Sequence, residues 1–228
     1  MTLSLFGDPK PPTVPGIDLR CCGVAELLAS GDCAGAGLIV ADPPWVYSQA
    51  PGVASPDLQY STMTEAQIAD VLADARGAVA GDARLAVWCT WPKLGEFWQA
   101  VEGCAAWKWR YKTGGSWHKT PSAGVGYHWL GNSELVLLYT SGSPPAVRWG
   151  PLSNAHTSPR MRHSEKPVGW MAGWLERWTD PGDLVVDLFA GLAPMARACH
   201  ATGRRYIGAE IDPDRHHQAM CRLALARE

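Results

Sequence analysis

The stretch DLVVDLFAGLAPMARA, residues 183–198, decides the fold that this sequence predicts. Its first part is a short apolar run, typical of a strand covered on both faces, and a turn containing glycine then leads into a helical pattern. About 20 residues further on, YIGAEID, residues 206–212, ends a second strand at Glu210. This spacing resembles a dinucleotide-binding fingerprint, in which the acid accepts hydrogen bonds from the ribose hydroxyl groups. Many α/β proteins nevertheless have a similar unit without such a ligand.

Strand and helix patterns alternate along the rest of the chain. We predict further apolar strands at 38–41, 84–91 and 133–142. Helical patterns cover residues 62–80, 93–104, 168–179, 194–203 and 214–228. Thr64 and Gln67 have the spacing of a capping box at the start of one helix. The alternation predicts an α/β fold with a mostly parallel sheet and helices on both faces, whereas residues 107–132 and 142–168 have no clear pattern.

The composition limits the class of protein. At 228 residues the chain fits one domain of ordinary size, which we expect at 17–228 after a loose, proline-rich arm at 1–16. Lysine and arginine number 20 against 22 acids, so the net charge of −2 is no signature of nucleic-acid binding and excludes no local basic patch. The seven cysteines lack zinc-type spacing, and no leader or membrane span is apparent. We therefore expect reduced thiols and a cytoplasmic location.

The stretch GLIVADPPWVYSQ, residues 37–49, carries the most specific chemistry. Asp42 follows a short apolar strand, at the edge where open α/β sheets bind ligands, and the two prolines stiffen the backbone beyond it. The Asp42 carboxylate and the Pro43 carbonyl could form a pair of acceptors for an amino group. Trp45 offers a face on which a planar base could stack. The alternative is an Asp-Pro turn at a strand end with a packed tryptophan.

Taken together, these motifs resemble a known family. ADPPW (41–45) is similar to the catalytic motif of amino-methyltransferases that act on exocyclic nitrogens of bases, and VVDLFAG (185–191) with GRRYIGAEIDP (203–213) resembles their S-adenosylmethionine motif. The catalytic motif comes first, as in the permuted β-class order. Further stretches narrow the resemblance to adenine methyltransferases, a family with phage and bacterial enzymes and the eukaryotic messenger-RNA 6-methyladenosine writer. These stretches are QYSTMTEAQIADV, AVWCTW, GYHWLGNSELVLLY and RHSEKPVGWM. The similarity covers roughly residues 17–215 and implies a Rossmann-like methyltransferase fold.

The resemblance also implies roles for individual residues. Asp42 and Pro43, in the motif completed by Pro44 and Trp45, would accept hydrogen bonds from the target amine. Trp45 and Tyr60 would flank the base. The positions expected near the base pocket are Trp117, Asn132 and Glu134, with core packing as the alternative for Trp117. Lys166 would meet the methionine carboxylate of S-adenosylmethionine. The remaining cofactor contacts are expected from Asp187, Phe189, Gly191 and Glu210.

Two positions depart from the family pattern. The cofactor turn reads GLAPMAR (191–197), without the usual second glycine, which puts cofactor affinity in question. Pro194 is compatible with the first turn of a helix, where its missing N–H is not needed. The acid expected near the adenine of the cofactor is absent from RCCGV (20–24), so Cys22 or a backbone group would take its place.

The expected substrate is adenine in nucleic acid, DNA rather than RNA, and no metal is required. We expect the basic, aromatic stretches 107–119 and 156–166 to line the nucleic-acid path, with a solvated surface over buried tryptophans as the alternative. In so short a chain, sequence specificity would come from loops, a second copy in a homodimer or a partner subunit. The alternative functions are a cytosine 4-amino methyltransferase and a catalytically silent subunit that binds nucleic acid or a partner. A dehydrogenase would need a three-glycine turn.

Overall fold

A computed structural model describes most of the chain. The described residues are 13–47, 62–79, 81–121, 128–148, 150, 152–159 and 165–225. Most of the expected N-terminal arm, residues 1–16, lies outside them. The expected domain boundary at residue 17 stays a prediction.

Eight strands form one sheet. They are β1 (Ile17–Cys21), β2 (Leu38–Ala41), β3 (Ala83–Cys89), β4 (Arg110–Thr120), β5 (Ser133–Ser141), β6 (Ala155–Pro159), β7 (Leu184–Asp187) and β8 (Arg205–Glu210). Their order is β1-β8-β7-β2-β3-β5-β4-β6. The first five strands in that order are parallel, β5 runs antiparallel to both β3 and β4, and β6 is parallel to β4. This confirms the mostly parallel sheet.

Helices cover both faces of the sheet. They are α1 (Val24–Ala29), α2 (Glu65–Ala78), α3 (Trp91–Gly103), α4 (Val168–Trp178), α5 (Pro194–Thr202) and α6 (Pro213–Leu225). Buried side chains of α1, α2 and α3 share one apolar cluster with Ile39 and Ala41. Those of α4, α5 and α6 share the opposite cluster with Leu38 and Val40. Successive strand residues point to opposite faces of the sheet, and helices cover both faces. Every residue of β2 is therefore buried.

Local sequence signals explain how helix α2 begins. The Thr64 side chain accepts a hydrogen bond from the Gln67 backbone N–H, and the Gln67 side chain accepts one from the Thr64 N–H at 2.9 Å. This is the capping box that the sequence predicts. Ile68, Leu72 and Ala75 then face the core along one side of the helix, as their spacing predicts.

Two strands lie where the sequence shows no clear pattern. β4 falls within 107–132 and β6 within 142–168, and the two pair with each other beyond β5. Most residues of both strands are exposed or half-buried, so they lack the apolar run or strict alternation on which a strand prediction depends. Partners from distant parts of the chain, rather than local pattern, determine these outer strands.

Tryptophans fill much of the core on the α4 side. The Trp88 ring lies 5.3–6.3 Å from the rings of Trp117, Trp170 and Trp174. All four are at most 5% exposed, so these tryptophans serve in packing. Within the described residues, no helix combines the length and apolar character needed to cross a bilayer.

Candidate active site

A cavity of about 750 Å³ opens at the carboxyl ends of the five parallel strands. Each strand contributes a lining residue at or just after its end, in sheet order Cys22, Glu210, Asp187, Asp42 and Thr90. The chain order of the strands reverses between β7 and β2, and ligands of open α/β sheets bind at such switch points. Asp42, Asp187 and Glu210 therefore lie at one edge of the sheet, as the strand assignments predict.

The backbone beyond Asp42 is held by two short hydrogen bonds. The Trp45 N–H donates to the Pro43 carbonyl at 2.9 Å, and the Met63 N–H donates to the Pro44 carbonyl at 2.8 Å. A carbonyl oxygen has two lone pairs, so that of Pro43 keeps one acceptor site for a ligand. Asp42, Pro43, Pro44 and Trp45 all line the cavity. Trp45 is only 6% exposed and packs edge-on against Phe97, so most of its ring belongs to the core.

The ammonium group of Lys166 lies between two acids. Its Nζ is 2.6 Å from Oδ2 of Asp42 and 3.2 Å from Oε2 of Glu134. It also lies 5.3 Å from the ring centre of Trp88, where a cation is attracted to the aromatic face. Glu134 in turn forms an ion pair with Lys119. The family resemblance implies that Lys166 pairs with the carboxylate of the cofactor. In the structure its ammonium group pairs with two acids of the chain itself.

Burial and pairing set the charges of this network. Burial alone would lower the pKa of Lys166, but the two carboxylates outweigh it and raise that pKa above its ordinary value. Burial would likewise raise the pKa of Glu134, yet the Lys166 and Lys119 ammonium groups lower it. For Asp42 burial prevails and raises the pKa, and Lys166 opposes that shift. The Asp42 side chain is 37% exposed and opens into the cavity, so it remains available to a ligand.

Asp187 is a second buried acid of the cavity. Its Oδ2 accepts a hydrogen bond from the Tyr206 hydroxyl at 3.1 Å, and its Oδ1 accepts one from the Phe189 N–H at 3.3 Å. Burial raises the pKa of Asp187 to about 7 in spite of these two donors. Gly208 makes the arrangement possible, because a Cβ there would overlap the Tyr206 hydroxyl group. The carboxyl group of Asp187 is therefore poised to ionise near neutral pH.

Glu210, Cys22 and the turn after β7 form the far end of the cavity. Oε1 of Glu210 accepts a hydrogen bond from the Asp212 N–H at 2.8 Å, and burial raises its pKa. The Cys22 N–H donates to the Glu210 carbonyl at 3.1 Å, which brings the two predicted cofactor residues together. Gly191 has a φ of +55°, and Ala193, where the usual second glycine is missing, has a φ of +53°. The chain thus makes the turn without that glycine, at a cost of about 1–2 kcal/mol for a left-handed alanine.

Two of the predicted base-pocket positions, Trp117 and Asn132, do not line the cavity. Trp117 is 1% exposed in the core, with its indole N–H donated to Ser158, which corresponds to the packing alternative rather than a pocket wall. Asn132 is not among the lining residues, and its carbonyl accepts the Lys119 N–H. Tyr60 lies outside the described residues. Of the predicted base-pocket residues that the structure describes, Glu134 lines the cavity together with Trp45.

Sequence reasoning missed several lining residues, among them Tyr47, Thr90 and Glu165. The Tyr47 hydroxyl and Thr90 Oγ1 lie 2.8 Å apart, so the segment after the DPPW motif is tied to the end of β3. Glu165 is 8% exposed and forms ion pairs with Arg197 of α5 and Arg222 of α6, which anchors the backbone beside Lys166. Its position next to Lys166 in HSEKP was the only available signal.

Part of the expected nucleic-acid path, the beginning of the stretch 107–119, lies away from the cavity. Arg110 pairs in register with Thr140, which lies opposite Arg84 near the beginning of β3. Residues 108–112 therefore lie at the edge of the sheet away from the cavity, and Trp109 is buried at 4% exposure. This part of 107–119 corresponds to the alternative of a surface over buried tryptophans. In the second stretch, His156 stacks on Trp170, while residues 160–164 lie outside the described part of the chain.

The sequence matches the model of a protein family described as DNA methylase, the N6/N4 methyltransferases, over residues 75–220. The chain belongs to this DNA methylase family. A curated relative is "Putative methylase YubD" of Escherichia coli (strain K12), 32% identical over 111 residues. The match covers 47% of this chain and 47% of YubD, so the chain spans about half the length of the curated relative it matches. The family assignment confirms the coarser part of the resemblance.

Solved structures of DNA methylases share the fold. The M1.HpyAVI–SAM complex is 18% identical, with a TM-score of 0.68 over 91% of this chain and 98% of that chain. A putative DNA modification methylase of Thermus thermophilus, complexed with S-adenosyl-L-methionine, is 17% identical, with a TM-score of 0.66 over 92% and 93%. The cytosine-N4-specific PvuII DNA methyltransferase is 12% identical, with a TM-score of 0.65 over 93% of each. At such identities the likeness establishes the fold alone, and it confirms the Rossmann-like methyltransferase fold.

Proposed function

We propose that this DNA methylase family member transfers a methyl group from S-adenosylmethionine to the 6-amino group of adenine in DNA. The observation that carries the proposal is that Asp42 and Pro43 open into the same cavity as Asp187 and Glu210. An acceptor pair for an amine and two acids at neighbouring strand ends thus share one space. The DPPW motif supports adenine as the target base.

The lining of the cavity fits the proposed cofactor. S-adenosylmethionine is cationic overall, and the strand ends here present the acids Asp187, Glu210 and Asp212. Glu210 would hold the ribose diol, and Asp187, Phe189 and Gly191 would line the cofactor, with Cys22 beside the adenine ring. When bound, the cofactor would supply an electrophilic methyl group on a sulfonium and would leave as the neutral thioether, while the methylated amine loses one proton. Two of the structures that share the fold are complexes with this cofactor, which supports the same ligand here.

The chain's own residues activate the amine. The lone pair of the adenine 6-amino group is delocalised into the ring, so the amine is a poor nucleophile. Hydrogen bonds from the amine to the Asp42 carboxylate and the Pro43 carbonyl favour the pyramidal geometry and stabilise the positive charge that develops on nitrogen. Because both acceptors are held by a stiff backbone, catalysis depends on position and charge rather than on a covalent intermediate.

Lys166 gives Asp42 its charge and orientation. The ammonium group 2.6 Å from Oδ2 favours the carboxylate form and leaves Oδ1 for the substrate amine. The ion pairs of Lys166 with Glu134 and of Glu134 with Lys119 compensate the remaining charges. Lys166 thus opposes the effect of burial, which raises the pKa of Asp42. In a duplex the target base must leave the stack to reach it, at a cost of a few kcal/mol.

The 4-amino group of cytosine is the second candidate target. It presents the same donor to the same acceptor pair, and the PvuII enzyme with a similar fold is cytosine-N4-specific. The intact acceptor pair and cavity argue against a catalytically silent subunit.

Nucleoside mass spectrometry distinguishes these functions. The protein is incubated with labelled S-adenosylmethionine and a panel of single-stranded and duplex DNA and RNA oligonucleotides, which are then digested to nucleosides. We expect labelled N6-methyladenine from DNA. Labelled N4-methylcytosine would establish the second candidate, and transfer to no oligonucleotide, despite measured cofactor binding, would establish the silent subunit.

A further inference from the structure

Trp91 combines wide exposure with a fixed orientation at the mouth of the cavity. It is the first residue of α3, directly after the lining residue Thr90, and it is 58% exposed. Its indole N–H donates to Ser133 Oγ at 2.9 Å, and Ser133 precedes the lining residue Glu134. The ring thus spans from the end of β3 to the beginning of β5. Trp91 itself does not line the cavity, so it borders the cavity from outside.

Among the residues that the structure describes, Trp91 belongs to neither apolar cluster of the core. Other tryptophans of this chain, such as Trp88 and Trp174, are buried in the core, whereas more than half of the Trp91 surface meets solvent. A hydrogen bond at the polar tip of the ring holds its orientation while the apolar faces stay available. Tyr47, 40% exposed, is tied to the other side of Thr90 through its hydroxyl. The rim near Asp42 therefore carries two aromatic side chains whose polar tips are bound.

We propose that Trp91 is a stacking platform for a nucleotide next to the target base. This inference rests on the proposed function, because it assumes a base inserted beside Asp42, but it holds for adenine and cytosine alike. When one base enters the cavity, its neighbours in the strand must stay close to the mouth. An aromatic side chain of fixed orientation gives such a neighbour a stacking surface regardless of sequence. Trp91 would thus position the strand without selecting the target.

Steady-state kinetics on an oligonucleotide that the wild type methylates tests the platform. Trp91→Ala should raise the KM for the oligonucleotide about 5- to 150-fold, the range expected for one lost base stack. Ser133→Ala removes only the hydrogen bond that orients the ring, and its KM should stay within about threefold of wild type. Trp91→Phe keeps an aromatic face but also lacks the indole N–H, so its KM should lie between those of Ser133→Ala and Trp91→Ala. Cofactor affinity, measured by calorimetry, should be the same in all four proteins.

Abasic substrates separate stacking from a merely structural role. An abasic residue placed 5′ or 3′ of the target should raise the wild-type KM on one side to about the Trp91→Ala value. The same abasic residue should change nothing further in Trp91→Ala, because the stack is already absent. Equal losses in both proteins, or an unchanged KM in Trp91→Ala, would overturn the platform while leaving the methyltransferase intact. If the wild type neither binds nor methylates any oligonucleotide, both proposals are overturned. If Trp91→Ala changes only the oligomeric state, the ring belongs to a protein contact and the platform is overturned.

Discussion

The Nζ atom of Lys166 lies 2.6 Å from Oδ2 of Asp42, across 124 residues of sequence. The pair joins the DPPW motif at the end of β2 to the segment before α4. A lysine expected to bind the cofactor is thereby paired with the proposed acceptor of the substrate amine.

Replacing Lys166 should impair the chemical step more than cofactor binding. In Lys166→Met, Asp42 and Glu134 lose their shared cation, so the pKa of Asp42 rises further and the carboxylate forms only at higher pH. We expect kcat to fall by about a hundredfold or more at neutral pH and the acid limb of its pH profile to move upward. Lys166→Arg keeps the charge and is the matched control. An unchanged kcat with a strongly raised KM for S-adenosylmethionine would instead favour the cofactor-carboxylate role.

Cofactor affinity should depend on pH through Asp187. Since its pKa is raised to about 7, the carboxyl group holds a proton below that pH, and a cationic ligand binds best after the proton is lost. The Kd for S-adenosylmethionine should therefore fall as the pH rises through about 7 and level off above it.

Variants of two residues check that assignment by calorimetry at several pH values. Asp187→Asn cannot ionise, and its Kd should be weaker and free of this pH dependence. Tyr206→Phe removes a hydrogen bond that favours the carboxylate, so the transition should move to higher pH. A wild-type pH dependence retained in Asp187→Asn would place the titrating group elsewhere.

Glu165 should contribute to stability by joining two helices. In Glu165→Gln the arginines Arg197 and Arg222 lose their shared carboxylate, whose side chain is only 6% exposed. Because both arginines are about one-third exposed and can be hydrated, we expect a loss of about 1–3 kcal/mol, less than for a fully buried pair. Urea unfolding measures the change. Asp18→Asn, at an exposed pair with Arg20, is the control and should cost less than about 0.5 kcal/mol.

The edge that carries the site could be predicted from the sequence because parallel strands end together. Apolar runs followed by Asp42, by Asp187 and by Glu210 required no knowledge of distant contacts, and all three acids lie in one cavity. The family motif then supplied the proposed acceptor pair. Cys22, which only the resemblance pointed to, donates its N–H to the Glu210 carbonyl.

Contacts between distant segments could not be predicted in this way. The partner of Lys166 depends on how the segment before α4 crosses the sheet, and no local pattern encodes that path. β4 and β6 carry polar residues at the outer side of the sheet, so their strand character appears only with their partners. Trp117 and Trp91 have the same side chain in similarly aromatic surroundings, yet one is buried and the other exposed. Sequence alone does not separate a packed tryptophan from an accessible one.

Single-turnover methyl transfer by Asp42→Asn tests the central claim most directly. The variant keeps the size of the side chain and removes the carboxylate, while Asp74→Asn, at an exposed position on α2, is the matched control. With the cofactor bound to saturation, we predict at least about a hundredfold slower formation of labelled N6-methyladenine in Asp42→Asn and an unchanged rate in Asp74→Asn. Transfer by Asp42→Asn at the wild-type rate would contradict the account.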